Sequence, residues 1–190
     1  MELIMLGTGN AMVTRCYNTC FVLSSGEEYF LVDAGGGNGI FKQLEQAGVP
    51  FTGIREMFVT HAHIDHSGLL PLLYSHGFRG QIFATTATSE LCNIMLKDSA
   101  HIQMFEAEWR NRKARRAGLP EVVPLYDMDD AQGVLEHFVP CDYNKIIEIC
   151  DGVKIRFVDA GHLLGSSSIE VWLTEEDKTV KIVFSGDIGH

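Results

Sequence analysis

Residues 58–70 read FVTHAHIDHSGLL: a short β-branched and aromatic run, then His61, His63, Asp65 and His66 crowded together, then glycine and the start of an apolar pattern. Imidazole nitrogens and carboxylate oxygens are the atoms that zinc and related divalent ions bind, and catalytic sites leave one position open for water. In a tight loop, His61 and His63 can turn toward one ion while Asp65 and His66 turn toward another. The density of these residues, between strand and helix signals, predicts a metal-binding loop at the edge of a sheet. The isolated His76, His101 and His137 sit in no such pattern and read as structural residues.

Working outward, other strand-like runs end the same way. Asp33 closes YFLVD, His162 follows IRFVDAG, and Asp187 follows KIVFSG. A sheet assembles a site in this manner, from loops at one edge that are distant in sequence. The intervening segments ELIML, TCFVL, YFLVD, GIFKQLEQAG, EMFVT, GLLPLLYSHG and QIFAT alternate strand and helix patterns, which predicts helices packed on a sheet. Gly48 and Gly77 stand where helices end. From Ser89 to Ala117, Leu91, Ile94, Met95, Ile102, Phe105 and Trp109 recur at helical spacing and predict a long amphipathic helix, stopped by Gly118 and Pro120. A shorter helix is expected in DMDDAQGVLEHFV, capped by Asp127 or Asp129, with Val134, Leu135 and Phe138 facing inward. The runs KIIEIC, VKIRFVDA, SSIEVWL and TVKIVFSG read as strands, the last two joined by the acidic turn TEEDK.

Composition narrows the class. With 190 residues, 46% of them hydrophobic, the chain is sized for one domain or most of one, and no linker-like stretch divides it. Every apolar run is broken well short of the ~20 residues a membrane span needs, and MELIMLGTGN reads as a strand rather than a signal peptide. A soluble, cytoplasmic protein with no membrane partner is expected. Cys16, Cys20, Cys92, Cys141 and Cys150 are odd in number and lack CxxC spacing, so they read as free thiols. A net charge of −10 argues against a broadly basic nucleic-acid surface. The basic stretch holding Arg110, Arg112, Lys113, Arg115 and Arg116 suits a solvated helix C-terminus, with a phosphate-contacting patch as the alternative. GTGNAM lacks the third glycine of a dinucleotide fingerprint, where Met12 stands. Tight turns that let loops approach the metal site account for it and for DAGGGNG, against a phosphate cradle.

THAHIDHSG matches the H-x-H-x-D-H motif of the metallo-β-lactamase superfamily, whose α/β fold is an αββα sandwich with one or two metals at the sheet edges. The resemblance implies Asp33 in LVDAGGG as an orienting residue, His162 in DAGHLLGS as a ligand, and Asp187 in FSGDIG as a bridging carboxylate. One divalent ion, with zinc expected, would take His61, His63 and His162; the other would take Asp65 and His66, with Asp187 shared. Asp65, Asp187 and Asp33 are the implied catalytic carboxylates. β-Lactamases usually carry Arg or Cys at the His66 position and Cys at the Asp187 position, and diiron flavoproteins carry Glu at the His63 position, so neither activity is expected. AGHLLGSSSIEV, the long helix and PLYDMDDA resemble the β-CASP group of RNA-processing nucleases, over residues 61–190, while the first 60 residues resemble RNase Z-type enzymes. The implied function is a metal-dependent phosphodiesterase acting on RNA through a metal-bound hydroxide. A small-molecule ester or thioester hydrolase of the same fold, or a non-catalytic metal-binding fragment, are the alternatives. Both phosphodiesterase branches carry a further histidine ligand after the Asp187 position. Residues 1–190 are therefore expected to be the N-terminal part of the domain, with His190 not that ligand, and with self-association through an uncovered apolar sheet face.

Overall fold

The computed structural model describes residues 1–9, 17–25, 28–36 and 39–189. Met12, Cys16 and His190, on which expectations were placed, lie outside them, as do Gly37 and Asn38 of the glycine run.

Strands β1 (Glu2–Gly7), β2 (Cys20–Ser25), β3 (Glu28–Val32), β4 (Ile54–Phe58), β5 (Gln81–Thr85) and β6 (Phe138–Cys141) lie side by side in that order in a six-stranded sheet. The first three pair antiparallel, and β3 to β6 run parallel. A second, antiparallel sheet holds β7 (Ile147–Cys150), β8 (Val153–Asp159), β9 (Ser167–Glu175) and β10 (Lys178–Phe184), in the order β10-β9-β8-β7. The described residues also form the α-helices α1 (Ile40–Gln46), α2 (Ile64–Ser67), α3 (Leu70–Ser75), α4 (Thr86–Ala117) and α5 (Met128–Leu135).

Strand periodicity explains the layers. Side chains alternate faces along a strand, so Phe21, Leu23, Phe30, Val32, Phe58 and Phe83 point to one side of the first sheet and Cys20, Val22, Leu31, Met57 and Ile82 to the other. The first set meets Val153, Ile155, Phe157, Ile169, Val171 and Phe184 between the sheets. The second set meets α1, α3, α4 and α5 through residues such as Ile40, Leu70, Leu96 and Val134. Strands buried on both faces read as continuous apolar runs, which is why EMFVT and QIFAT carried little polar alternation. Burying one side chain the size of Phe58 or Phe157 contributes about 1.5–3 kcal/mol.

Three expectations need correction. The long helix begins at Thr86, capped by the Thr85 side chain, and ends with Gly118 in the left-handed region at φ 64°. Of the expected stripe only Leu91 and Met95 pack half-buried on the core; the buried face is Thr88, Ser89, Cys92, Leu96, Ala100, Ala107 and Ala114, while Ile94, Ile102, Phe105 and Trp109 are exposed. Small residues let α4 approach its neighbours closely, and this outweighed the stripe of larger apolar groups. Phe138 belongs to β6 rather than to the second helix, because α5 ends at Leu135 and the chain then pairs with β5. The face of the second sheet turned away from the core is not apolar: Arg156, Glu170 and Lys181 form an ion network there beside Trp172. Among the described residues no helix covers that face. Exposed apolar groups gather instead on α4 and at the edge strands β1 and β10, at Leu3, Met5 and Val180.

Candidate metal centre

Parallel strands β3 and β4 finish at the same edge of the first sheet, and β8 and β10, both antiparallel to β9, finish at the same edge of the second. Asp33 follows β3, His61 follows β4, His162 follows β8 and Asp187 follows β10. The edges are stitched together where the Ser167 amide and hydroxyl donate to the Thr60 carbonyl at 2.9 and 3.0 Å. The convergence expected from four strand ends is therefore present.

Two groups of donor atoms result. His61 Nε2 lies 3.1 Å from His63 Nδ1, and His162 Nε2 lies 3.3 Å from the same atom. Asp187 Oδ2 stands 3.8 Å from His61 Nε2 and 3.6 Å from His162 Nε2, and all four donor atoms fall within 4.8 Å of one another. Tetrahedral coordination with bonds of about 2.0–2.1 Å separates its ligands by about 3.3–3.4 Å, so this donor set fits a single divalent ion. On the other side of Asp187, its Oδ1 lies 3.7 Å from His66 Nε2, which is 3.6 Å from Asp65 Oδ2. Asp187 thus turns one oxygen toward each group.

Exposure is graded across the centre. His61, His66 and Asp33 are buried, His63 and Asp65 are half-buried, and His162 and Asp187 are exposed, so the donors are anchored on one side and open to solvent on the other.

Behind the donors, Asp33 accepts from the Thr60 amide at 2.9 Å on Oδ1, and on Oδ2 from the Thr60 hydroxyl at 2.8 Å and His66 Nδ1 at 2.8 Å. Asp33 thus contacts both a histidine of the cluster and an adjacent amide. His66 Nδ1 carries the donated proton, so in the neutral ring Nε2 is the free electron pair, aimed at Asp65 and Asp187. Sequence reading overlooked Thr60. It directly precedes His61, yet a threonine after a strand is too ordinary a residue to signal a role by itself.

The electrostatics follow from burial and neighbours. Burial disfavours the His61 cation and the nearby His66 and His63 rings oppose it further, so its pKa is pushed down to about 4 and the ring is neutral at pH 7. For His66, burial also works against the charge, but the Asp33 hydrogen bond and the charges of Asp33, Asp65 and Asp187 outweigh it and raise the pKa.

Two glycines let the loops meet. A Cβ on Gly36 would lie 2.7 Å from the Asp65 Cα, and Gly186, at φ 57°, packs where a Cβ would come 2.9 Å from the Thr60 Cβ. The tight-turn reading of the glycine run therefore holds at Gly36. The His162 loop is closed by the Ser166 hydroxyl, which accepts from the His162 and Leu163 amides at 3.0 Å each.

The basic end of α4 is largely paired within itself. Arg110 meets Glu106, Arg112 meets Glu108, Arg115 meets Glu121 through two hydrogen bonds, and Lys113 lies over the Trp109 ring. This is the solvated helix end, with its charge offset locally. Cys20, Cys92 and Cys141 are buried free thiols, and Cys150 is a half-buried one.

A helical layer, two facing sheets and a histidine–carboxylate cluster at their shared edge define the metallo-β-lactamase fold, and solved structures agree. The chain is similar to the FEZ-1 metallo-β-lactamase of Legionella gormanii, with a TM-score of 0.61 at 13% identity over 99% of this chain and 62% of that one. It is likewise similar to the MEM-A1 subclass B3 metallo-β-lactamase from a soil metagenome library, with a TM-score of 0.59 at 15% identity over 96% of this chain and 62% of that one. At such identities the likeness concerns the fold alone. Within that class, the chain belongs to the Anti-Pycsar protein Apyc1 family, whose description matches residues 1–190. Among curated proteins it is similar to transcription termination factor FttA of Methanosarcina mazei, 29% identical over 178 residues, covering 89% of this chain and 25% of that protein. The FttA of Methanocaldococcus jannaschii is 30% identical over 132 residues, covering 70% of this chain and 18% of that protein. The chain thus spans about a quarter or less of these relatives' length.

Proposed function

We propose that this chain carries the metal centre of a hydrolase that cleaves phosphodiesters, with RNA as its substrate and two zinc ions as cofactors. The observation that carries the reading is the pair of donor groups meeting at Asp187, with the lone pairs of His61 Nε2 and His66 Nε2 presented inward. His61, His63, His162 and Asp187 would hold one ion, and Asp65, His66 and Asp187 the other. Divalent ions bound there would supply electrophilic charge that acidifies water and offsets negative charge on phosphoryl oxygens. The chain's own contribution is to keep His61 neutral through burial and to hold the His66 ring correctly turned through its bond to Asp33. Open exposure at His162 and Asp187 provides the side from which an ester approaches. Similarity to termination factors and to the β-CASP nucleases supports RNA. Residues 1–190 would then be the N-terminal part of the full catalytic unit, working in the cytoplasm, where free thiols such as Cys92 persist.

A second reading has a specific observation behind it. The net charge is −10 and the basic helix end is self-paired, so no unpaired basic track on α4 gathers a polyanion. This favours a small substrate, such as a cyclic phosphodiester or a thioester, at the same centre. Hydrolysis of an RNA oligonucleotide, a cyclic nucleotide and a thioester by the full-length protein decides between them, alongside the double variant His63→Ala, Asp65→Ala. Turnover of RNA that falls steeply with salt is expected; turnover confined to the small substrates supports the second reading. A double variant that keeps its metal content overturns the site.

A further inference from the structure

Thr60 touches the supports of both donor groups. It is 1% exposed, and each of its polar groups is engaged. Its amide and hydroxyl donate to Asp33, its hydroxyl oxygen lies 3.1 Å from His61 Nδ1, and its carbonyl accepts from Ser167 on β9. Its methyl side packs beneath Gly186, the residue before Asp187. The hydrogen-bond directions are constrained. The Asp33 carboxylate only accepts, so the single Thr60 hydroxyl proton points to Asp33 Oδ2 at 2.8 Å. The Thr60 oxygen can then only accept from His61 Nδ1, which must carry the ring's proton.

We infer that Thr60 is a positioning residue whose hydroxyl relays the charge of Asp33 to His61, holding that ring in the Nδ1–H tautomer with Nε2 free for metal. Asp33 thereby sets both donor groups, His66 by direct contact and His61 through Thr60. A hydrogen-bond partner behind a ligating histidine typically governs about 10–100-fold in metal affinity. This inference rests on the proposed metal centre.

The test uses the full-length protein free of metal, then titrated with zinc, as wild type, Thr60→Val and Thr60→Ser. Nitrogen-15 NMR of the metal-free wild type should show His61 protonated at Nδ1; protonation at Nε2 overturns the inference, whether or not any variant folds. Thr60→Val keeps the shape and removes the hydroxyl, and should weaken zinc binding about 10–100-fold with loss of the tautomer preference. Thr60→Ser restores the hydroxyl and should restore both readouts. Wild-type affinity in Thr60→Val, or a defect in Thr60→Ser equal to that of Thr60→Val, overturns the inference. A wild type that takes up no zinc overturns the metal centre itself, a separate outcome from a zinc-binding wild type indifferent to the hydroxyl.

Discussion

Replacing Asp33 by Asn tests the wiring behind the metal centre with almost no change of shape. Asp33 sits in the left-handed region at φ 56°, a conformation that Asn tolerates as well as Asp, so the backbone is not the variable. Three donors converge on the carboxylate: the Thr60 amide on Oδ1, and the Thr60 hydroxyl and His66 Nδ1 on Oδ2. An amide side chain can satisfy only one of those two sides. Placing its NH₂ at the Oδ1 position opposes the Thr60 amide, a donor that cannot reverse. Placing it at the Oδ2 position opposes a hydroxyl that can rotate and an imidazole that can move its proton, so this orientation is adopted. His66 then carries its proton on Nε2, the atom facing Asp65 and Asp187, and the Thr60 hydroxyl is released to donate to His61 Nδ1, placing that ring's proton on Nε2 as well. Hydrogen bonds to a charged group contribute about 1.5–3 kcal/mol against about 0.5–1.5 for neutral ones, so the metal-free variant should lose about 3–4 kcal/mol over the three bonds. Both metal positions should weaken by about 10–100-fold, since each now needs its histidine re-tautomerised before binding. Urea unfolding of the metal-free protein reads the first quantity, and zinc titration with elemental analysis reads the second. Asp33→Asn protein that takes up zinc with wild-type affinity would refute the reasoning, even if its stability fell as expected.

Gly36→Ala places a methyl 2.7 Å from the Asp65 Cα, a backbone atom that cannot yield cheaply; about 1–3 kcal/mol of stability and much of the metal affinity should be lost together, and unfolding and zinc-binding curves that match wild type would contradict the close approach. In the metal-free protein the two buried histidines should titrate in opposite directions from the ordinary 6.5, His61 near 4 and His66 above it, as read from ring NMR shifts, and the reverse order would refute the electrostatic account. The signs follow from linkage. The unfolded chain protonates its His61 first as pH falls below about 6.5, so stability on that account declines between about 6.5 and 4, whereas His66 contributes stability that is complete below about 6.5 and lost as pH rises through its folded value.

Much of the site could be read along the chain because metal chemistry restricts residue types severely. His61, His63, Asp65 and His66 are near neighbours in one short stretch of chain, and Asp33, His162 and Asp187 each follow a strand whose apolar run is visible without a structure. Helix ends were equally plain where glycine adopts the left-handed region, as at Gly118. Less could be read where two solutions share one pattern. Ile94, Ile102, Phe105 and Trp109 have helical spacing, yet α4 buries Cys92, Leu96 and Ala100 instead, since close packing rewards small side chains as well as apolar ones. β6 escaped notice because a four-residue parallel strand at a sheet edge, containing Pro140, has too little alternation to announce itself.

By itself the sequence determined which donor atoms the protein owns and that they stand at strand ends, because ligand chemistry and strand periodicity are local properties of the chain. Only the tertiary structure decided which nitrogen of each imidazole faces inward, that Asp187 stands between two donor groups, and that Thr60 joins them. Those outcomes depend on hydrogen bonds between distant residues, Asp33 with His66 and Thr60 with Ser167, and their directions exist only once the two sheets have met.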